Sequence, residues 1–434
     1  KAEAEELFSI ICEFEEETYI YPEIDILKRY TTKSNDLMQN SIKVLENIVT
    51  KTPSIIIIPI EAIYRTVKNP KDFKDNSFEI NLDTEISFND LQKKLVNMGY
   101  KKVESVDVVG EFSKRGSIVD IFSPLSEKPV RLDFFDDELD SIRLFDESTQ
   151  KSLKKVDKIE IYPTSDFFLT SEEKDVVVGK LQEKLNDRKL KELENYQDIN
   201  QYLNEKIELY HATGDYSSLE SFSNLIYKTP FSIIDYLDEN TIIFFDNYHK
   251  ILEKIEGLRE YFLTNLQEIN RNYIFQEVID SHAFEKLQNI NTVKYYLSTL
   301  KLNEKIIEKN YNLDIRDLAY YSSEEFLAKE IREKLNENYK VLISLNTQKQ
   351  KDYVEKILFD NYFYDDIYYG IKEGKIFIDI NKFRLKGFED KKNKIFLLTP
   401  RELFTKEERK KRRLNFKYTN SEKIRNYQEL NVGD

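Results

Sequence analysis

The chain has 434 residues, with 80 Asp and Glu against 66 Lys and Arg, a formal net charge of −14, 40% hydrophobic residues, 28 Tyr and 28 Phe. That length exceeds one hydrophobic core and points to about three domains, the apolar content excludes a disordered chain, and the acidic balance excludes a generic coat for nucleic acid or anionic membrane. A single cysteine, Cys12, excludes an internal disulfide and a multi-cysteine metal site, and with no signal peptide and no apolar run of bilayer length the expected location is the cytoplasm.

In chain order, "KAEAEELFSIICEF" has a helical pattern, "TYIYP" reads as a strand, residues 36–49 as a helix, and "SIIIIPIEAI" from Ser54 to Ile63 as a strand of the buried type. Continuous β-branched runs spaced by helices predict a parallel α/β sheet. The helical pattern at the first residue and the abrupt end at "ELNVGD" give the expectation of a fragment from a longer chain.

The character changes near residue 78. "FEINLDTEISFNDLQKKLVNMGY" predicts a strand, a helix capped by Ser87 and a stop at Gly99, and strands then dominate from Lys101 to Pro163. Within this small α+β unit lies "RLDFFDDELDSIRLFD", residues 131–146. Read with a period of two, Val130, Leu132 and Phe134 share one face and Arg131, Asp133 and Phe135 the other. After the polar "DDE", Ile142 and Leu144 alternate with Arg143 and Phe145, so a hairpin with one dry face and one face of arginines and aromatics is expected. Two readings of Phe135 compete on pattern alone: packing beneath a neighbouring loop or domain, or a partner-binding surface.

Residues 164–230 read as mainly helical, and "DENTIIFFDNYHKILEKI" then restores a buried strand followed by a helix. The simplest account is one α/β domain, 1–77 with 164–315, interrupted by the α+β module 78–163. A second small α/β unit, 316–434, begins with a capping box from Ser322 to Glu325 and continues through the strands "KVLISL", "KIFIDI" and "KIFLLT".

Catalytic chemistry finds little support. No GxxxxGK[ST] phosphate loop occurs, and in "VVGKLQ" Leu181 stands where a magnesium-binding hydroxyl belongs. The strand "IIFFDNYHK" resembles a Walker-B strand ending at Asp246, yet Asn247 follows where helicase-type motors carry a glutamate. His211, His249 and His282 lack metal-ligand spacing. The run "KEERKKRR", Lys406 to Arg413, is the one dense basic patch; a solvated helix face is favoured over phosphate contact in so acidic a chain. Neither an enzyme, a cofactor nor a metal site is expected.

One stretch carries a specific resemblance. "GEFSKRGSIVDIFSPLSEKPVRLDFFDDELDSIRLFDESTQKSLKKVDKIEIYP", residues 110–163, resembles the UvrB-homology module of the transcription-repair coupling factor (Mfd) family, with Ser117 where a second glycine is common. "YIYPEIDIL", "IIIIPIEAI" and "LVNMGYKKVESV" are similar to that family's first domain and the entry to its second. "PFSIIDYLDENTIIFFD" is similar to its returning segment, and the chain from "LLTPRELF" onward to its third domain. The resemblance implies a degenerate helicase-like α/β domain in which Asp246 and Asn247 are remnants of a lost ATP site. It further implies a UvrA-binding module whose docking residues are Arg115, Arg131 and Phe135; Asp137 and Arg143 are added here from the strand pattern. The full-length proteins of this family are ATP-dependent translocases that act on RNA polymerase and double-stranded DNA, so those are the implied partners beside UvrA, and no membrane is. Two alternatives stand beside this reading: a UvrB-like ATP-dependent DNA-repair helicase subunit, and a regulatory domain that acts by keeping the UvrA site masked.

Overall fold

The computed structural model describes residues 2–23, 35–135, 138–187, 191–192, 196–213, 219, 222, 225–227, 230–269, 282–299, 302, 307–360, 370–380 and 385–404. The chain divides into two units, residues 1–8 with 17–302 and residues 9–16 with 303–434. The fold is α/β, with parallel and antiparallel sheets.

In the first unit, β1 (Thr18–Ile20) pairs in parallel with β2 (Ile55–Ile57), and the helix Asn35–Thr50 lies between them in sequence. The expected long strand from Ser54 to Ile63 is shorter than its apolar pattern, for a local reason. Pro59 has no N–H to give a ladder, and from it the chain turns into the 3-10 helix Ile60–Tyr64, which buries Ala62, Ile63 and Tyr64.

The chain before residue 78 is tied to the chain after 163 by buried charge. The Arg65 guanidinium pairs with the Asp166 carboxylate, donates to Ser41 Oγ at 2.7 Å and lies over the Tyr21 ring. Lys68 Nζ donates to both oxygens of Glu173 at 2.7 Å and to the Tyr227 hydroxyl at 2.8 Å. Glu173 also closes the capping box of the helix Ser171–Leu185 with Thr170. Removing one partner of such a pair strands the other charge in the interior, at a cost of about 3–5 kcal/mol. Gly179 of "VVGK" lies inside this helix, which removes it from any phosphate-loop geometry.

The segment from residue 78 opens with β3 (Phe78–Asn81) and the helix Phe88–Asn97, whose N-cap Ser87 accepts from the Asp90 N–H as expected. Gly99, at φ 90°, ends the helical turn in the left-handed region that glycine favours. Six strands then form one sheet in the order β4 (Lys101–Lys102), β5 (Glu111–Arg115), β6 (Ile118–Ile121), β7 (Val130–Phe135), β8 (Glu138–Phe145) and β9 (Ser152–Lys155). β10 (Lys158–Ile161) returns to pair antiparallel with β3. The core lies between the helix and one sheet face: Leu91, Leu95 and Met98 meet Phe112, Val119, Ile121, Val130, Leu132, Phe134 and Ile142.

β11 (Ile242–Asp246) and β12 (Val293–Leu297) form a second parallel pair, with the helices Tyr248–Ile269 and Ala283–Asn289 between them in sequence. The strand "IIFFD", expected to be buried, is buried on one face only. Phe245 packs with Tyr248 and Tyr296, whereas Ile242, Phe244, Val293, Tyr295 and Leu297 on the other face are exposed.

The second unit holds a five-stranded mixed sheet, built from β13 (Ile315–Asp317), β14 (Lys340–Leu345), β15 (Ile376–Ile380), β16 (Phe388–Asp390) and β17 (Ile395–Leu398) in the order β13-β16-β17-β14-β15. Three of these are the expected strands. Its first helix, Glu324–Asn336, is capped by Ser323 rather than Ser322, because the Ser323 hydroxyl accepts from the Glu325 N–H. The basic run Lys406–Arg413 lies outside the described residues.

Candidate protein-interaction face

The face of the six-stranded sheet turned away from the helix is organised in rows across the strands. One row runs Ser113, Asp120, Arg131, Arg143, Lys155 from β5 to β9, and the next runs Arg115, Ile118, Asp133, Ser141 from β5 to β8. The period-two reading of residues 130–146 therefore holds in space: Val130, Leu132, Phe134 and Ile142 lie in the core, and the charged set lies on the opposite face.

At the β7 end of this face a bulge between Asp133 and Phe134 shifts the register, so that Phe134 faces Leu139 and Phe135 faces Glu138. Phe134 stays in the core against Phe88, while the Phe135 side chain is 75% exposed. Packing of Phe135 under a loop is thus not realised. Phe145 takes that role: it is fully buried, and a small second cluster forms around it from Val106 and Phe122, with Val103 and Val109. Asp137 lies outside the described residues.

The three arginines of the face differ in how they are held. Arg131 donates from Nε and Nη2 to the two oxygens of Asp120 at 2.7 and 2.8 Å, and from Nη1 to the Gln150 carbonyl at 3.3 Å. Its guanidinium also stacks over the Phe145 ring at 4.6 Å. Its side chain keeps 18% of its exposure and that of Asp120 only 1%. The bidentate bond to Asp120 raises the Arg131 pKa above its ordinary value, against the opposing pull of burial.

Arg115 is exposed at the end of β5, where Nε donates to the Glu104 carbonyl at 3.2 Å and Gly116, at φ 62°, turns the chain into β6. Arg143 is half-buried opposite Arg131; its Nε donates to Ser141 Oγ at 3.2 Å and Nη2 lies 3.6 Å from Asp133. Phe135, Arg115 and Arg143 thus lie on one face with donors and an apolar ring open to a partner.

Sequence reasoning missed Asp120, although the signal was present. One acid inside the apolar run "SIVDIF" cannot be buried without a partner, and Arg131 is in register to supply it. It also missed Gln150, whose backbone stands at φ 59° and whose carbonyl receives Arg131.

Asp246 and Asn247 lie elsewhere in the first unit. Asp246 ends β11 with an exposed side chain, Asn247 stands at φ 57°, and the helix Tyr248–Ile269 starts at once. Among the described residues no group of three or more His, Cys, Asp or Glu is placed to hold a metal ion, and no helix is long and apolar enough to cross a membrane.

The match to known proteins coincides with this face. Residues 78–167 match the family model of the UvrB interaction domain. The chain is 29% identical over 434 residues to the transcription-repair-coupling factor of Staphylococcus aureus (strain bovine RF122 / ET3-1), covering 96% of this chain and 36% of that protein. It is 28% identical over 426 residues to the transcription-repair-coupling factor of Staphylococcus epidermidis, with the same coverage. The resemblance to this family therefore extends over nearly the whole chain, and the chain spans about a third of the length of these curated relatives.

Proposed function

We propose that this chain is the recruiting part of a transcription-repair coupling factor, and that its 78–163 module binds UvrA through the exposed part of the charged face of the six-stranded sheet, where Phe135, Arg115 and Arg143 stand. The observation that carries the reading is the exposure of Phe135 on the sheet face that also carries Arg115 and Arg143, on the segment that matches the UvrB interaction domain. An exposed ring offers rigid apolar area and a guanidinium a planar fork for carboxylates, the usual anchors of a protein interface.

The surrounding parts take their roles from the same likeness. Residues 1–77 and 164–315 form a UvrB-like α/β body with degenerate ATPase residues at Asp246 and Asn247, and residues 316–434 form a third, small α/β domain. The fragment works by binding, without catalysis or cofactor. In the longer protein, an ATP-dependent translocase displaces stalled RNA polymerase from double-stranded DNA, and this module then brings the excision-repair machinery to the site.

The test is a titration of purified UvrA against the chain and against a variant carrying Arg115→Ala and Phe135→Ala. Saturable binding by the parent and a loss of at least about thirtyfold in the variant is expected. Equal affinity sinks the assignment of the face.

A further inference from the structure

We infer that Arg131 and the buried Asp120 act as a neutral positioning pair for the proposed UvrA contact, and that the charge a partner reads comes from Arg115 and Arg143. The inference rests on the UvrA reading above and assigns different work to residues that lie in neighbouring rows of one sheet.

The geometry of Arg131 is the first ground. Three of its five N–H bonds are spent inside the module, two on Asp120 and one on the Gln150 carbonyl, and one face of the guanidinium is covered by Phe145. With Asp120 almost wholly buried, the pair is held as a unit in the sheet, and at any distance beyond the module its field is that of a dipole.

The second ground is what the pair holds in place. Gln150 belongs to the β8–β9 turn, and its amide Nε2 donates to the Val106 carbonyl of the loop that lies over Phe145 and Phe122. Arg115 leans on the same loop through the Glu104 carbonyl. The pair therefore fixes, through Gln150, a loop that orients Arg115.

Register supplies the third ground. Arg131 and Arg143 stand directly opposite on β7 and β8, an arrangement of like charges that destabilises a sheet unless one is neutralised. Asp120 neutralises Arg131 from the β6 side with a bidentate, buried bond. Arg143 keeps only a long, half-exposed ion pair to Asp133 at 3.6 Å and stands in register with Lys155 of β9, so its charge is the one less held within the module.

Salt dependence separates the two roles, because removing a charge that a partner reads lowers the dependence of affinity on ionic strength, whereas replacing a neutral pair by another neutral pair does not. UvrA is titrated at several salt concentrations against the parent, Arg115→Gln, Arg143→Gln, and the double variant Asp120→Asn with Arg131→Gln, each melted first to verify folding. The expected result is a shallower salt slope for Arg115→Gln and for Arg143→Gln, and the parent's slope for the double variant. A slope in the double variant as shallow as that of Arg143→Gln overturns the inference.

Arg131→Lys serves where the double variant does not fold. It keeps the charge but loses the bidentate fork, and weaker binding by about tenfold with the parent's slope is expected. Parent-like affinity of Arg131→Lys overturns the positioning role. A parent that does not bind UvrA at any salt concentration overturns the functional reading itself, an outcome distinct from either result on the pair.

Discussion

Phe134 and Phe135 are neighbours in β7 and have opposite fates: Phe134 meets the Phe88 ring edge-on at 5.7 Å in the core, and Phe135 stands 75% exposed across from Glu138. Phe134→Ala is expected to destabilise the module by about 3–5 kcal/mol, since it empties a packed core site. Phe135→Ala is expected to leave stability within about 0.5 kcal/mol, as for other exposed positions. Urea unfolding of the two variants measures the difference, and similar losses for both would contradict the placement of the strand.

Gly116 turns β5 into β6 at φ 62°, and a Cβ built there meets nothing within 4 Å. The cost of Gly116→Ala is therefore conformational alone, about 1–2 kcal/mol, and Gly116→Asn, which tolerates this region better, recovers part of it. Thermal melting of both variants checks the order. An alanine variant as stable as the parent would show that the turn does not need the left-handed conformation.

In the second unit, Glu389 is buried, which by itself raises a carboxyl's pKa. Bonds from the Lys334 ammonium and the Tyr339 hydroxyl, with the charge of Arg316, outweigh that burial and hold it down at about 2 against an ordinary 4.5. A depressed pKa stabilises the fold above the unfolded value, and the stabilisation is lost as pH falls from about 4.5 through about 2. The protection of β14 amides, taken as exchange relative to the intrinsic rate at each pH, should fall across that window in the parent. In Glu389→Gln protection should be lower at neutral pH and nearly flat across the window; a parent-like acid profile in this variant would contradict the account.

The ATP reading has its own check. With no phosphate loop in the sequence and Asn247 at φ 57° after Asp246, calorimetric titration with magnesium-ATP is expected to give no binding heat. Saturable binding would favour the UvrB-like helicase alternative.

How far the sequence was readable follows from what each element depends on. Ser87, Gly99 and the alternation of residues 130–146 are local signals, and each reappears in the structure at its own residue. Phe145 and Phe135 occupy equivalent positions in the alternation, and only the loop 103–109 and the bulge at Asp133 decide that one is buried and the other exposed. The Asp120–Arg131 pair depends on the register of β6 against β7, and the exposed face of β11 on what packs nearby, neither of which is a local property. Ser322 and Ser323 are both plausible caps by residue type; the structure selects Ser323, whose hydroxyl receives the Glu325 N–H.

The central claim is that the open face around Phe135 is where UvrA docks. Its most direct test is the affinity of purified UvrA for the parent and for Phe135→Ala at matched stability. Burial of the ring in a partner contributes about 2 kcal/mol, so a loss of about thirtyfold with unchanged unfolding is the predicted result. Undiminished affinity in the Phe135→Ala variant would contradict it.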